Sequence, residues 1–206
     1  MPKNIYQFKV ILKEIHPPVW RRIQVPEDYS LYDLHVAIQD SFPWFDCHLN
    51  QFSSVTLKES ERQYYGFPDP DDYGDREVIW EWKVLIKDTF KIDGNRALNY
   101  EYDFGDGWQH RVELEEILPA GKGIEYPRCV DGRRACPPED CGSYPGYDDL
   151  LKVLKNPKDE EYKSMCDWLG IRKGSEYDSE YFDPQEVEFR DPKEELKLVK
   201  KGFGVE

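Results

Sequence analysis

Three cysteines and an upstream histidine are the residues whose types best fit a metal site. Cys129, Cys136 and Cys141 follow the pattern Cys-x6-Cys-x4-Cys, and His110 precedes them. Zinc takes four soft or borderline ligands in tetrahedral geometry, and three thiolates with one imidazole meet that requirement. The spacing is not the common Cys-x2-Cys knuckle, so three unrelated reduced thiols in a loop are the alternative.

The position of His110 bears on this choice. It alternates with Trp108 and Val112 on the apolar face of a predicted strand, where a lone histidine is more often a hydrogen-bonded core residue than a ligand. If His110 lies in the core, the adjacent Cys47 and His48 are the reserve pair. We expect one zinc ion bound by the three thiolates and His110, with free thiols packed under loop tyrosines as the competing interpretation.

A second group of polar residues surrounds a glycine-containing turn. Asp103 and Asp106 flank Gly105, with Trp108 and His110 just beyond. Two carboxylates and an imidazole this close can hold a hard cation or perform general acid–base catalysis. Aspartate and glycine are also what tight turns require, so a turn built for geometry is the alternative. The two aspartates and the tryptophan are binding candidates.

A third group is a local basic cluster in an acidic chain, made of Lys122, Arg128, Arg133 and Arg134. It has the charge to receive a phosphate or an acidic partner, although four cations near a loop also suit an ordinary solvated surface. Glu139 and Asp140, between the last two loop cysteines, complete the binding candidates with Arg133 and Arg134.

The overall composition excludes several classes of protein. The 206 residues include 42 acidic and 28 basic side chains, a formal net charge of −14, so stand-alone sequence-specific DNA binding is not expected. Hydrophobic residues make up 39% and aromatic residues 15%, enough to build a core. No apolar run approaches the ~20 residues that cross a bilayer. We expect a cytoplasmic protein with reduced cysteines and no membrane contact.

The clearest predicted element is a hairpin over residues 97–117. Alternating apolar residues on both strands favour a three-residue loop, because that register puts them all on one face. It pairs Phe104 with Trp108 and Tyr102 with His110. The loop then needs Gly107 at positive φ.

The remaining elements follow from periodicity and capping residues. Strands are predicted over residues 6–12, 19–25 and 49–55, and helices over 30–42, from about 150, and from an N-cap at Asn156. Residues 59–76 are interpreted as a solvent-exposed irregular segment, a solvated excursion from the domain, and residues 119–147 as a long loop. These predict an α+β fold, with antiparallel strands and a long central hairpin packed by about three helices. One domain is expected over residues 1–190, with a charged C-terminal tail over 191–206.

Two segments carry a family resemblance. Residues 100–110 read YEYDFGDGWQH and residues 136–142 read CPPEDCG. With Gly146-Tyr147 and the Trp20-Arg21 pair, they resemble the plasmid pRi open-reading-frame-three-like family, whose members are also labelled as the passenger TnpR of an insertion element. Ser143 stands where a second glycine is usual.

The resemblance covers most of residues 4–185 and implies no established activity. The TnpR label implies a recombinase with a nucleophilic serine and a basic DNA-binding segment, which the sequence does not support. Two functions from different classes stay open. The first is a non-enzymatic binding or accessory module. The second is a metal-dependent hydrolase acting on a phosphorylated or nucleic-acid substrate. A closed cysteine–histidine site favours the former, and an open site near Glu139 or Asp140 favours the latter.

Overall fold

The computed structural model describes residues 2–55, 58–68 and 77–205 of the chain. Its strands form one sheet in the order β5-β4-β3-β6-β7-β1-β2-β8. All described pairs are antiparallel except β4 with β5. The strands are β1 (Asn4–Leu12), β2 (Val19–Pro26), β3 (Asn50–Ser54), β4 (Tyr64–Gly66), β5 (Val78–Trp80), β6 (Ala97–Tyr102), β7 (Trp108–Pro119) and β8 (Arg128–Arg133).

The sheet and the helices form a single compact α+β domain, as the sequence predicts. About three helices were expected, and the described residues contain the short α2 and the C-terminal α5 in addition. The helices are α1 (Leu31–Ser41), α2 (Ile86–Thr89), α3 (Ser143–Leu154), α4 (Tyr162–Trp168) and α5 (Pro192–Phe203). None of the described helices is both long and apolar enough to cross a membrane.

Local sequence explains α1 and the strands that precede it. Ser30 and Asp33 form a capping box, each side chain bonding the other residue's backbone N–H, at 3.1 and 2.8 Å. The predicted helix over 30–42 is therefore confirmed. Alternate residues of β1, including Phe8 and Val10, are buried, as period-2 patterning requires.

The central hairpin has a different register from the predicted one. Tyr100 pairs with His110 and Tyr102 with Trp108, so the predicted Tyr102–His110 pair is wrong. The connection is a five-residue turn in which the Gly107 N–H donates to the Asp103 carbonyl at 2.6 Å. The predicted three-residue loop required Phe104 to pair with Trp108, but Phe104 is exposed in the turn.

Two features of the predicted hairpin are nevertheless correct. Gly107 has φ +67°, in the left-handed region that favours glycine. Because the register differs by two residues on one strand, each side chain keeps its face. Tyr100, Tyr102, Trp108 and His110 are therefore all buried, as the alternation predicts.

Three other predictions need correction. The long loop over 119–147 contains β8, which pairs with β2 at the sheet edge. The excursion over 59–76 contains β4 with buried tyrosines, and residues 69–76 of it lie outside the described residues. Asn156 does not cap a helix, because its side chain and carbonyl accept Lys158 and Asp159 N–H groups in a turn, and α4 begins at Tyr162.

The helix predicted from about residue 150 begins earlier, at Ser143. Gly142, in the left-handed region at φ +87°, directly precedes it. The charged segment predicted as a tail over 191–206 contains α5, which begins at Pro192 after the N-cap residue Asp191. Asp191 accepts the Lys193 N–H at 2.9 Å, and this local cap explains why so charged a segment is helical.

Candidate functional site

Three segments that are distant in sequence meet at one corner of the domain. They are the loop between α1 and β3, the turn between β6 and β7, and the segment 137–142 that leads into α3. The Trp44 indole donates to the Pro137 carbonyl at 3.0 Å and joins the first segment to the third. We call the side chains gathered there the corner cluster: Cys47, His48, Asp103, Glu139 and Asp140.

The buried carboxylate of Glu139 lies at the centre of the contacts. It accepts hydrogen bonds from the Tyr102 hydroxyl and, at 2.5 Å, from the Phe45 N–H. The Cys47 thiol donates to the same carboxylate at 3.4 Å. The Cys47 N–H donates in turn to the Tyr102 hydroxyl oxygen at 3.1 Å. Glu139 is thus held by groups from β6 and from the α1–β3 loop.

His48 connects the rest of the corner cluster. Its Nε2 atom lies 3.0 Å from Asp140 Oδ1 and 3.7 Å from Asp103 Oδ2. Asp103 is buried in the turn, where its carboxylate also accepts the Gly105 N–H at 2.9 Å. His48 is half-buried and Asp140 is exposed, so one side of the cluster faces solvent.

The cluster contains two overlapping sets of donor atoms. Cys47, His48 and Glu139 place one ligand atom each within 4.8 Å of one another, and so do His48, Asp103 and Asp140. The first set offers a thiol, an imidazole and a carboxylate, which suit zinc. The second offers an imidazole and two carboxylates, which also suit harder cations. His48 belongs to both sets.

The surroundings of Cys47 and Tyr102 favour the protonated forms of their side chains. Desolvation and the Glu139 carboxylate raise the pKa of the Cys47 thiol. Burial and the same carboxylate raise the pKa of the Tyr102 hydroxyl. Both groups are therefore proton donors at neutral pH, and a metal ion bound to Cys47 must displace its proton.

The four residues predicted as zinc ligands are not among these sets of donors. Cys129 lies on β8, Cys136 is buried, and Cys141 is half-buried just before α3. Burial raises the pKa of all three thiols, that of Cys141 to about 12. Zinc on this set stays a prediction, but the described geometry gives it no support.

His110 occupies the aromatic core. It is fully buried, with ring contacts to Phe42, Trp44 and Tyr100. Its Nδ1 lies 3.2 Å from the Trp108 carbonyl, and its Nε2 has no partner among the described residues. Burial lowers the pKa of His110 to about 3, so the imidazole is neutral.

The other turn residues tie the hairpin to α3. The Asp106 carboxylate accepts the Gly142 N–H at 3.2 Å, and its carbonyl accepts the Ser143 hydroxyl at 2.5 Å. Trp108 is buried, and its ring meets Tyr144 of α3 edge-on at 4.9 Å. These contacts place the turn and the start of α3 against each other and so help to shape the corner.

One residue of the predicted basic cluster makes structural contacts in the interior. Arg134 is buried, donates to the Pro17 carbonyl at 2.6 Å and pairs with Glu180 at 2.6 Å. Arg133 is exposed, and its carbonyl accepts a hydrogen bond from Arg21. Arg134 therefore has a structural role, which leaves less free positive charge than the sequence suggests.

Sequence reasoning missed a cavity beside the corner cluster. Its volume is about 280 Å³, and Cys47 and His48 contribute to its wall together with α5 residues. Arg190 also lines it and pairs with Asp40 at 2.6 Å, Glu195 at 3.3 Å and Asp46 at 3.4 Å. No motif marks these residues, because the cavity forms between α1, the α1–β3 loop and the distant C-terminal helix.

Comparisons with known proteins agree with the fold and the motifs. The chain is 43% identical to a protein of known structure, covering 92% of this chain and 100% of that one with a TM-score of 0.79. That structure is described as a protein of unknown function, MM3350, from Methanosarcina mazei Go1. A relative from Sinorhizobium fredii (strain NBRC 101917 / NGR234), described as uncharacterized protein y4hQ, is 32% identical over 179 residues.

The second match covers 87% of this chain and 86% of the relative. A family profile described as plasmid pRiA4b ORF-3-like protein matches residues 4–186, which include both motif segments and every member of the corner cluster. The resemblance inferred from those motifs is thereby confirmed. The chain belongs to the plasmid pRiA4b ORF-3-like family.

Proposed function

We propose that this protein is a non-enzymatic binding or accessory domain that holds one zinc ion in the corner cluster. The observation that carries the proposal is the convergence of Cys47, His48 and Glu139 on one point, with Asp103 and Asp140 gathered around the same imidazole. These donors come from the α1–β3 loop, the β6–β7 turn and the segment 137–142. The local geometry of a single turn therefore does not explain why they lie together.

The donor chemistry fits zinc better than a hard cation. Thiolate and imidazole are ligands that Mg²⁺ and Ca²⁺ avoid and zinc prefers. Glu139 supplies a third donor to this set, while Asp103 and Asp140 form a second set with His48. The hydrogen bonds that Tyr102 and Phe45 donate to Glu139 orient its carboxylate, as hydrogen bonds to ligand side chains do in metal sites.

A metal ion at this place has a structural role. It would add a second connection between the α1–β3 loop and the segment 137–142, which the Trp44–Pro137 hydrogen bond already joins. The free energy of metal binding at such a site adds to the stability of the folded protein. The metal would thus fix the corner of the domain, including the wall of the adjacent 280 Å³ cavity.

A second candidate is the metal-dependent hydrolase. The open side of the cluster favours it, since His48 and Asp140 retain solvent access and Cys47 and His48 line a cavity. A phosphorylated substrate is less well supported, because Arg190, the cavity's arginine, is paired with three carboxylates. The non-enzymatic function therefore ranks first.

Chelation tests the proposed metal site. Treating the purified protein with a chelator and then dialysing should lower its melting temperature, and added ZnCl₂ should restore it. The His48→Ala variant should show no zinc-dependent change. His16→Ala removes an exposed histidine outside the cluster and should respond like the wild type. Equal zinc responses in both variants would exclude the corner cluster as the site.

A further inference from the structure

Arg21 carries a positive charge at an inward-facing position of β2, between the buried Val19 and Ile23. Its side chain is 1% exposed, yet no described carboxylate lies in ion-pair range. The pKa of Arg21 is lowered by burial, to about 10, so the group stays charged at neutral pH. A buried charge without an ion-pair partner is costly unless other groups compensate it.

Backbone carbonyls satisfy only part of the guanidinium. Nε donates to the Ser41 carbonyl at 2.8 Å, and Nη1 donates to the Trp20 and Arg133 carbonyls at 2.9 and 3.0 Å. Nη2 makes no hydrogen bond with any residue that the structure describes. Its two N–H donors are free for water or a ligand, since Nη2 is not one of the solvent-shielded side-chain atoms that lack a partner.

The surrounding thiols do not supply the missing negative charge. Cys129 and Cys136 are the nearby acidic groups that act on Arg21. Burial raises the pKa of both thiols, so they are neutral at physiological pH.

Aromatic rings hold the guanidinium plane in place. The Phe182 ring lies over it at 3.6 Å and the Phe42 ring at 4.9 Å. Gly132, which pairs with Arg21 across the β2–β8 ladder, makes the Phe182 contact feasible, because a Cβ there would overlap that ring. The orientation of Arg21 is thus fixed before any ligand arrives.

Arg21 lines a cavity of about 300 Å³ whose wall includes Pro43, Phe182 and Val187. The carboxylates in that wall are already engaged. Asp40 accepts from Arg190, and Asp183 accepts the Gln185 N–H. Glu186 accepts the Tyr181 hydroxyl at 2.7 Å. They still make the cavity unfavourable for a dianion, as does the net charge of −14.

We propose that this cavity binds a small organic monocarboxylate with an apolar body, whose carboxylate pairs with Arg21. The guanidinium supplies the charge-assisted hydrogen bonds and the apolar wall takes the body. The site is separate from the corner cluster and does not depend on metal.

Calorimetric titration of the full chain with sodium benzoate tests the proposal. Benzoate should bind saturably, acetate about tenfold more weakly because it lacks the apolar body, and inorganic phosphate more weakly than benzoate. No saturable benzoate binding, or tighter binding of phosphate, would overturn the proposal.

Variants locate the site. Val187→Trp fills the cavity while Arg21 itself is unchanged, and it should weaken benzoate binding at least about tenfold. Gln185→Trp is the matched control, because Gln185 is exposed on the same short turn but does not line the cavity. Arg21→Gln, if its circular dichroism is native, should abolish binding. Equal affinities of the two Trp variants would contradict the assigned cavity.

Discussion

The Nε2 atom of His48 lies 3.0 Å from Oδ1 of Asp140, a residue 92 positions further along the chain. This contact closes the corner cluster between the α1–β3 loop and the segment before α3. His48 also belongs to both sets of metal-ligating atoms, so its imidazole is the group on which the proposed site depends most.

The pH dependence of zinc affinity should report the Cys47 thiol. Because desolvation and Glu139 raise the pKa of Cys47, the thiol is protonated at neutral pH and zinc must displace its proton. Zinc affinity should therefore rise by about tenfold per pH unit for this proton. Calorimetric titration with zinc between about pH 7.5 and 8.5 measures how steeply the affinity changes with pH. The Cys47→Ala variant should bind more weakly with a flatter slope, and an unchanged slope would exclude the thiol as a ligand.

Gly107 should tolerate only residues that accept positive φ. Gly107→Val should destabilise the protein by about 1–3 kcal/mol, because a β-branched residue is strained at φ +67°. Gly107→Asn is the control and should cost less, since asparagine enters the left-handed region more readily. Urea denaturation measures both, and equal stabilities would contradict the turn geometry.

Glu81 should make the protein less stable as pH rises. It is fully buried, accepts from Asn50 at 2.9 Å through one oxygen, and its other oxygen has no described partner. Burial raises the pKa of Glu81 to about 7 from 4.5. The folded state then binds the proton more tightly, so its contribution is full below pH 4.5 and is lost as pH rises through 7.

The Glu81→Gln variant isolates this contribution. Relative to the wild type it should gain about 3 kcal/mol of stability between about pH 4.5 and 8, since one pKa unit is worth about 1.4 kcal/mol. Denaturation curves at both pH values provide the measurement. A stability difference that does not change with pH would show that Glu81 has the same pKa in the folded and unfolded states.

The parts of the fold that local sequence determines were predictable. The capping box at Ser30 and Asp33 is a short-range signal, and the hairpin faces follow from alternation. The exact hairpin register was not, because whether Phe104 joins the ladder depends on the turn's own hydrogen bonds. β8 was missed because its sequence, RCVDGR, lacks alternation and its pairing partner is more than a hundred residues away.

The candidate site was predictable only in pieces. Cys47 and His48 were identified as a reserve pair, and Glu139, Asp140 and Asp103 as separate binding candidates. Nothing in the spacing joins these pieces, because the contacts that do so span 92 residues. The sequence instead favoured the loop cysteines. They are close along the chain, but none of them belongs to a set of converging ligand atoms in the described residues.

Elemental analysis of protein purified without chelator tests the central proposal most directly. The wild type should contain about one equivalent of zinc, Cys47→Ser and His48→Ala should contain almost none, and Cys136→Ser should keep it. Less than about a tenth of an equivalent in the wild type, after incubation with zinc and desalting, would contradict the metal site. Loss of zinc in Cys136→Ser but not in Cys47→Ser would instead assign the metal to the cysteine loop.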